Sequence, residues 1–169
     1  ESFAPLNRSI LESLIQKGKA SGADLIEIFL EKTSYTGLLA EEDKITNVSP
    51  SFSVGAGIRV FLGTKDGFVS TNDISEQGLA NSLIQALEMV GLNENGLALS
   101  NFMGLQELRN YSKSKHAWLS KLPQLEEAKD VLLTGTQMLK LHGSNIQARR
   151  GSYSRSWQEI LIAASDGTF

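Results

Sequence analysis

The 169-residue chain contains no cysteine. Its absence excludes disulfide bonds, thiolate ligands for zinc and a cysteine nucleophile from this sequence. A chain without thiols is compatible with a reducing compartment, and we expect a cytoplasmic protein.

Long apolar runs and an excess of charge are also missing. No apolar stretch approaches the roughly 20 residues that cross a bilayer, and no charged segment followed by an apolar one opens the chain. The net charge is -3, so no general attraction to nucleic acid or to an anionic membrane is expected. With 41% hydrophobic and 21% charged residues, the composition is typical of a globular protein that buries a core.

Residues that carry hydrolytic chemistry are scarce. The two histidines, His116 and His142, are far apart and belong to no zinc-binding pattern. No serine lies in a G-x-S-x-G motif. We therefore predict no catalytic residue and no metal ligand in this chain.

The first part of the sequence begins with a helix and a strand. Residues from about Leu6 to Lys19 carry apolar side chains at helical spacing, and Ser9 with Glu12 matches a capping box. From Leu25 onward, apolar and charged residues alternate as in a strand with one buried face.

Two hairpins and a second helix follow. We interpret the acidic run before Lys44 as a solvated hairpin turn rather than a cation site. Val54–Leu62 alternates most regularly, and Gly63–Gly67 has the composition of a tight turn with a returning strand after it. Helix-start residues and an apolar stripe then predict a helix that ends at Gly91.

The second part is less regular. Residues 93–122 lack periodicity and are predicted to form a linker or long loop. A helix is expected from Pro123 to a stop at Gly143, followed by two strands with a bend around Gly151. We predict an N-terminal α+β domain over residues 1–92 and the truncated start of a middle domain over residues 123–169.

These elements predict an α+β fold. Its sheet should be mixed but largely antiparallel, built from hairpins and packed by flanking helices, with the start of a second α/β region.

The stretch GAGIRVFLGTKDGFVSTNDIS begins with two closely spaced glycines, Gly55 and Gly57. A dinucleotide-binding loop would need a third glycine at position 60, which is Val60. The glycines also lie inside an alternating strand rather than between a strand and a helix. They instead indicate a bulge or the close approach of another backbone.

Basic and aromatic residues alternate near the C-terminal end. Arg149, Tyr153, Arg155 and Trp157 would share one face of a strand, and Arg150 would lie on the other, as in a sheet that binds nucleic acid. The patch is short and the chain is acidic overall, so we do not expect nucleic-acid binding.

Several of these stretches resemble the TldD/PmbA family, which comprises modulators of DNA gyrase and zinc metalloproteases. GADLIEIFLE, GAGIRV and the later IAASDG carry the resemblance. The sharpest match is to the family patterns G-x-G-I/V-R-V and G-F-x-S-T-x-D-L/I-S. The similarity covers about Leu6 to Gly91 and is nearer the TldD type.

This resemblance implies the noncatalytic N-terminal part of a longer zinc metallopeptidase that acts on peptides. The family's zinc site is an H-E-x-x-x-H helix with a later cysteine, and neither occurs here, so zinc is implied for the parent and for none of these residues. The resemblance also implies a cytoplasmic location and a homodimer, or a heterodimer with a paralogous subunit; the lack of long apolar runs separately predicts no membrane association. The alternative is a zinc-free partner subunit or a regulatory module linked to gyrase and DNA.

We also expect a contribution to substrate binding. A strand edge near Gly55, Gly57 and Arg59 could hold an extended peptide through main-chain hydrogen bonds. The two glycines would let the peptide backbone approach closely.

Overall fold

The computed structural model describes residues 3, 6–93, 102–106, 124–142 and 145–169. These residues form three helices and four strands: α1 (Arg8–Ala20), β1 (Leu25–Glu41), β2 (Lys44–Leu62), β3 (Lys65–Thr71), α2 (Glu76–Val90), α3 (Leu125–Lys140) and β4 (Arg150–Ala164). The strands make one sheet in the order β3-β2-β1-β4, which confirms the predicted α+β class with an antiparallel sheet. None of the described helices is long and apolar enough to cross a membrane.

The first three strands are joined by two tight hairpins. β2 and β3 pair antiparallel from Ala56 opposite Thr71 to Leu62 opposite Lys65. The predicted turn before Lys44 is confirmed, because only two residues separate β1 from β2. Both hairpins follow from turn residues placed between alternating segments.

The chain divides into two compact units. Unit 1 comprises Glu1–Lys32, Ser53–Tyr111 and Gln158–Phe169, and unit 2 comprises Thr33–Phe52 and Ser112–Trp157. The predicted linker at 93–122 falls mostly outside the described residues, so the predicted domain boundaries stay predictions.

Unit 1 buries its core between two helices and one face of the strands. Along β1, Ile26, Ile28 and Leu30 are fully buried, and along β2 the same holds for Ile58 and Val60. The side chains that cover this face come from both helices: Leu11, Leu14, Ile15, Leu79, Leu83, Leu87 and Val90. We call this covered side the inner face and the opposite side the outer face.

The start of α1 differs from the prediction. Asn7, rather than Ser9, is the N-cap, and its side-chain oxygen accepts a hydrogen bond from the Ile10 N–H at 3.1 Å. Glu12 therefore does not complete a capping box. Its Oε1 instead accepts bonds from Arg8 Nε and from the Leu105 N–H, both at 3.0 Å, and the hydrogen bond from Arg8 chiefly lowers the pKa of Glu12.

The second helix matches its predicted ends. Ser75 is the N-cap of α2, with its hydroxyl accepting a hydrogen bond from the Gly78 N–H at 3.0 Å. The helix stops at Gly91, whose φ of 89° lies in the left-handed region that glycine adopts at little cost.

Gly67 sets the distance between α2 and the sheet. It lies opposite Val60 on the inner face, and a Cβ atom at this position would collide with the carbonyl oxygen of Ala86 and with Cβ of Met89. A side chain here would push the helix off the sheet.

In unit 2, α3 packs against β4. The helix begins after Gln124, whose N–H donates to Glu127 Oε2 at 3.0 Å, and Leu141 is its C-cap. The predicted end residues Pro123 and Gly143 lie outside the described residues.

The predicted pair of C-terminal strands is wrong, because β4 is a single strand. Gly151 lies inside it and is not a bend. A Cβ atom at Gly151 would come within 2.8 Å of Leu132 Cδ1 and 3.2 Å of Thr136 Cγ2, so the glycine accommodates α3. Close helix packing is an alternative cause of a glycine in a strand.

We expect Gly67→Ala to lower the free energy of unfolding by about 1–3 kcal/mol, because the added methyl group overpacks the contact between α2 and β3. Urea unfolding followed by circular dichroism measures the change. Asp66→Ala is the matched control on the outer face of the same strand, with an expected loss within about 1 kcal/mol. Equal losses in the two variants would contradict the role assigned to Gly67.

Candidate functional site

The outer face of unit 1 carries the glycines that the sequence singled out. Gly57 lies opposite Ser70, one pair along from Ala56 and Thr71. A Cβ atom on Gly57 would be 2.9 Å from Cε2 of Phe68, so the aromatic ring lies directly over the glycine. Gly57 is therefore buried beneath the ring, and the apolar surface accessible to solvent is the Phe68 ring itself, which is 55% exposed.

Arg59 is fixed beside this surface. Its Nε and Nη2 atoms donate to Oδ2 of Asp66 at 3.0 and 2.8 Å, and its guanidinium lies 4.8 Å from the centre of the Phe61 ring. The ion pair is half exposed and contributes little to stability. It does orient the guanidinium toward Asp66, and Arg59 pairs with Phe68 across the strands.

We call Gly57, Arg59, Phe61, Asp66 and Phe68 the hairpin face. It offers aromatic surface and one oriented guanidinium. Such a surface suits an extended peptide with apolar side chains and a carboxylate or carbonyl group.

Gly55, Gly57 and Arg59 do not lie at a strand edge. β2 is an interior strand, between β3 and β1, and its main chain pairs with β3 from Ala56 onward. The two strands that border the sheet are β3 and β4. Substrate contact by Gly55, Gly57 and Arg59 stays a prediction, and it would have to use side chains and the sheet surface.

Unit 2 contains a buried cation that sequence inspection missed. The side chain of Arg149 is 8% exposed and forms ion pairs with Glu42 and with Asp43, the latter at 3.3 Å. Its Nη1 atom also donates to the carbonyl oxygen of Thr136 at 3.0 Å. We call Arg149, Glu42, Asp43 and Thr136 the arginine clamp.

Backbone bonds reinforce the clamp. The Glu42 N–H donates to the Arg149 carbonyl oxygen at 2.9 Å, and the Arg149 N–H donates to Glu42 Oε1 at 3.1 Å. Glu42 has a φ of 56°, so a non-glycine residue is held in the left-handed region. The hydrogen bond from the Arg149 side chain chiefly lowers the pKa of Glu42, and the same bond raises the pKa of Arg149.

The clamp changes the interpretation of two sequence features. The acidic turn is not simply solvated, because two of its carboxylates neutralise Arg149. Two positive charges of the basic and aromatic run are also neutralised within the chain. Arg149 is buried against Glu42 and Asp43, and Arg150 pairs with Glu41. More than 100 positions separate the partners, so no local pattern could have linked them.

Unit 2 also has an apolar groove of about 290 Å³ between α3 and β4. Val131, Gly135 and Leu139 line it from the helix, and Gly151 and Tyr153 line it from the strand. The polar residues that line it are Thr136, Arg150, Ser152 and Tyr153.

The zinc implied for the parent has no fitting ligand set here. Among the described residues, no three His, Cys, Asp or Glu side chains lie close enough together to hold a metal ion. We therefore assign no metal chemistry to these residues.

Comparison with known proteins supports the resemblance seen in the sequence. A family model described as PmbA/TldA metallopeptidase domain 1 matches residues 26–90. That range contains β1, β2, β3 and α2, and hence the whole hairpin face. No curated protein matches the chain.

Solved structures share the fold. TldE from Thermococcus kodakarensis superposes with a TM-score of 0.68 at 20% identity, over 94% of this chain and 35% of that one. A proposed modulator of a DNA gyrase from Thermotoga maritima also has a TM-score of 0.68, at 13% identity over 92% of this chain and 34% of its own. A proposed modulator of DNA gyrase from Bacteroides thetaiotaomicron has a TM-score of 0.61, at 14% identity, covering 95% and 37%. The chain thus spans about a third of the length of these structures.

We expect Glu42→Gln to lower the free energy of unfolding at neutral pH. We also expect this free energy to depend less on pH in the acid range. The pKa of Glu42 is lower in the folded state than its ordinary 4.5, so its contribution is complete above pH 4.5 and is lost as the pH falls through the folded pKa. Urea unfolding at a series of pH values measures this. Glu41→Gln, which removes the exposed pair with Arg150, is the control and should change the profile less. Parallel profiles for Glu42→Gln and the wild type would contradict the clamp.

Proposed function

We propose that this chain is the noncatalytic N-terminal part of a metallopeptidase that acts on peptides, because a family model described as PmbA/TldA metallopeptidase domain 1 matches residues 26–90. The match of the family model to the segment that contains the hairpin face is the observation that carries the proposal. Cytoplasmic location and a homodimer, or a heterodimer with a paralogous subunit, belong to the same proposal.

We propose that the sheet of unit 1 forms part of the wall of a substrate chamber. Its inner face is filled by α1 and α2 and has no room for a ligand. Its outer face carries the hairpin face, where the exposed Phe68 ring lies over the buried Gly57 and makes an apolar surface beside the guanidinium of Arg59. An extended peptide could lie across this surface with an apolar side chain against the Phe68 ring and a carbonyl oxygen near Arg59.

We propose that residues outside this chain carry out the hydrolytic step. The described residues offer no zinc ligands, so this chain would bind and orient peptide without moving a proton or activating water. Holding the peptide in the right orientation contributes substantially to catalysis. A reaction between two separate molecules then proceeds as if it were intramolecular.

A second candidate is a zinc-free partner subunit or a regulatory module linked to DNA gyrase. Two of the matching structures are described as proposed modulators of DNA gyrase, and a third is described as TldE. These descriptions support the second candidate. Direct DNA binding is the less favoured form of this candidate, because Arg149 and Arg150 are paired with carboxylates.

We expect Gly57→Val to weaken peptide binding by about tenfold or more, equivalent to about 1.4 kcal/mol. The new side chain would displace the ring of Phe68, which is exposed and free to turn outward, so the fold should survive. Fluorescence anisotropy with labelled extended peptides measures the affinity, and circular dichroism checks the fold.

Ser53→Val is the matched control, because it adds the same side chain to an exposed position of the same strand. It should leave peptide affinity unchanged. Wild-type affinity in a folded Gly57→Val variant would remove the hairpin face from the proposal, whereas no peptide binding by the wild type would remove the chamber wall altogether.

A further inference from the structure

The outer face of unit 1 extends beyond the hairpin face onto β1. Ile26 and Ile28 are fully buried on the inner face, and successive side chains of a strand alternate between the two faces of a sheet. Glu27 and Phe29 therefore lie on the outer face. Both are half-buried, so part of each side chain is accessible to another molecule.

The register of β4 on β1 shows which side chains surround Glu27. At the end of β4 the Ser165 N–H donates to the Ile26 carbonyl oxygen at 2.9 Å, and further along the strand Glu159 lies 4.0 Å from Lys32. Both contacts fit the same antiparallel register. The pairs that this register places on the outer face are Ala164 opposite Glu27 and Ile162 opposite Phe29.

The surface around Glu27 is largely apolar. Ile162 is 46% exposed, and Ile160, which precedes it on the same face, is 49% exposed. Together with Phe29 they form an accessible apolar patch beside the carboxylate. Ala164, which lies opposite Glu27, contributes only a methyl group.

The carboxylate of Glu27 leaves an excess of negative charge on this face. The neighbouring outward carboxylate of Glu31 accepts a hydrogen bond from Gln158 Nε2 at 2.6 Å, and Asp66 is paired with Arg59. Within the described part of the chain, neither a hydrogen-bond donor nor a cation pairs with the side chain of Glu27. Its charge is therefore available to a molecule that lies on the sheet.

Glu27 and the hairpin face are close enough for one ligand to contact both. The Asp24 N–H donates to the Phe61 carbonyl oxygen at 2.9 Å, which places the start of β1 beside the end of β2. Glu27 then lies roughly level with Arg59, whose partner on β3 is Phe68. Phe68 and Glu27 are two strands apart, which corresponds to about 10 Å across the sheet.

A carboxylate on an apolar surface favours a cationic side chain. The methylene stem of a lysine or arginine would pack on Phe29 and Ile162, while its charged head would reach Glu27. Ion pairs of this kind gain strength where apolar neighbours limit the access of water. In an extended peptide, side chains two positions apart share one face and are about 7 Å apart. An apolar side chain next to the basic one on that face would therefore reach the exposed ring of Phe68.

We propose that the outer face of unit 1 selects extended peptides in which a lysine or arginine is flanked by apolar residues, and that Glu27 is the specificity-determining residue. This inference rests on the proposed peptide binding by the same face. It adds the class of side chain that the face prefers, because an acidic side chain at the same position of the peptide would be repelled by Glu27.

The test compares two fluorescently labelled peptides that differ only in one central residue, which is either lysine or the uncharged norleucine, with valine two positions before and after it. We expect the 169-residue chain to bind the lysine peptide about threefold to tenfold more tightly in fluorescence anisotropy. The difference should shrink when the salt concentration rises from roughly 0.05 to 0.5 M, because salt screens an accessible charge pair.

Variants of Glu27 assign the preference to this residue. Glu27→Gln should bind the lysine and norleucine peptides equally. Glu27→Lys should reverse the preference, in favour of a third peptide with glutamate at the central position. Glu88→Gln is the matched control, because Glu88 is exposed on α2, behind the sheet, and its loss should preserve the wild-type preference. Circular dichroism confirms that each variant is folded.

Equal affinity of the wild type for the lysine and norleucine peptides would overturn the inference and would leave the proposed peptide binding intact. The same holds for a lysine preference that Glu27→Gln and Glu88→Gln reduce to the same extent. If the wild type bound none of the peptides, the proposed function would fail, and the inference would fail with it.

Discussion

The fold of unit 1 depends on the period of two along β1 and β2. Ile26, Ile28 and Leu30 on one strand and Ile58 and Val60 on the next all point to the inner face, where two helices remove them from water. Burial of these side chains is the main stabilising contribution, and it fixes every other residue of both strands on the outer face. Any ligand-binding role of the central strands is therefore confined to the outer surface, because their main-chain groups are already paired within the sheet.

Gly57 and Gly67, two glycines of the hairpin formed by β2 and β3, have different roles because they lie on opposite faces of the sheet. Gly67 lies on the inner face and lets α2 pack directly on the strand, so its role is structural. Gly57 lies on the outer face beneath Phe68, where a side chain would meet only an exposed ring. Both glycines belong to the stretch that most resembles the family, yet only Gly57 is covered by a solvent-exposed side chain, that of Phe68.

Local patterns in the sequence predicted the helices, the hairpin turns and the alternation of buried and exposed side chains along the strands. All three depend on residues that are close together in the sequence. The cap of α1 was missed because Ser9 and Glu12 fit a capping box, while Asn7 is two positions earlier and equally suited to the role. The strand order could not be read from the sequence, since β4 joins β1 across more than 100 residues. The strand edge expected at Gly57 is different: the two hairpins predicted from the sequence already place β2 between β1 and β3, as the structure does.

The arginine clamp fixes the register of β4 on β1. Glu42 binds both the backbone and the side chain of Arg149, so one pair of residues fixes where β4 begins to pair with β1. A slip by one residue would break the buried ion pair and would also exchange the two faces of β4. The same buried ion pair that stabilises unit 2 thus also determines which side chains of β4 lie on each face of the sheet.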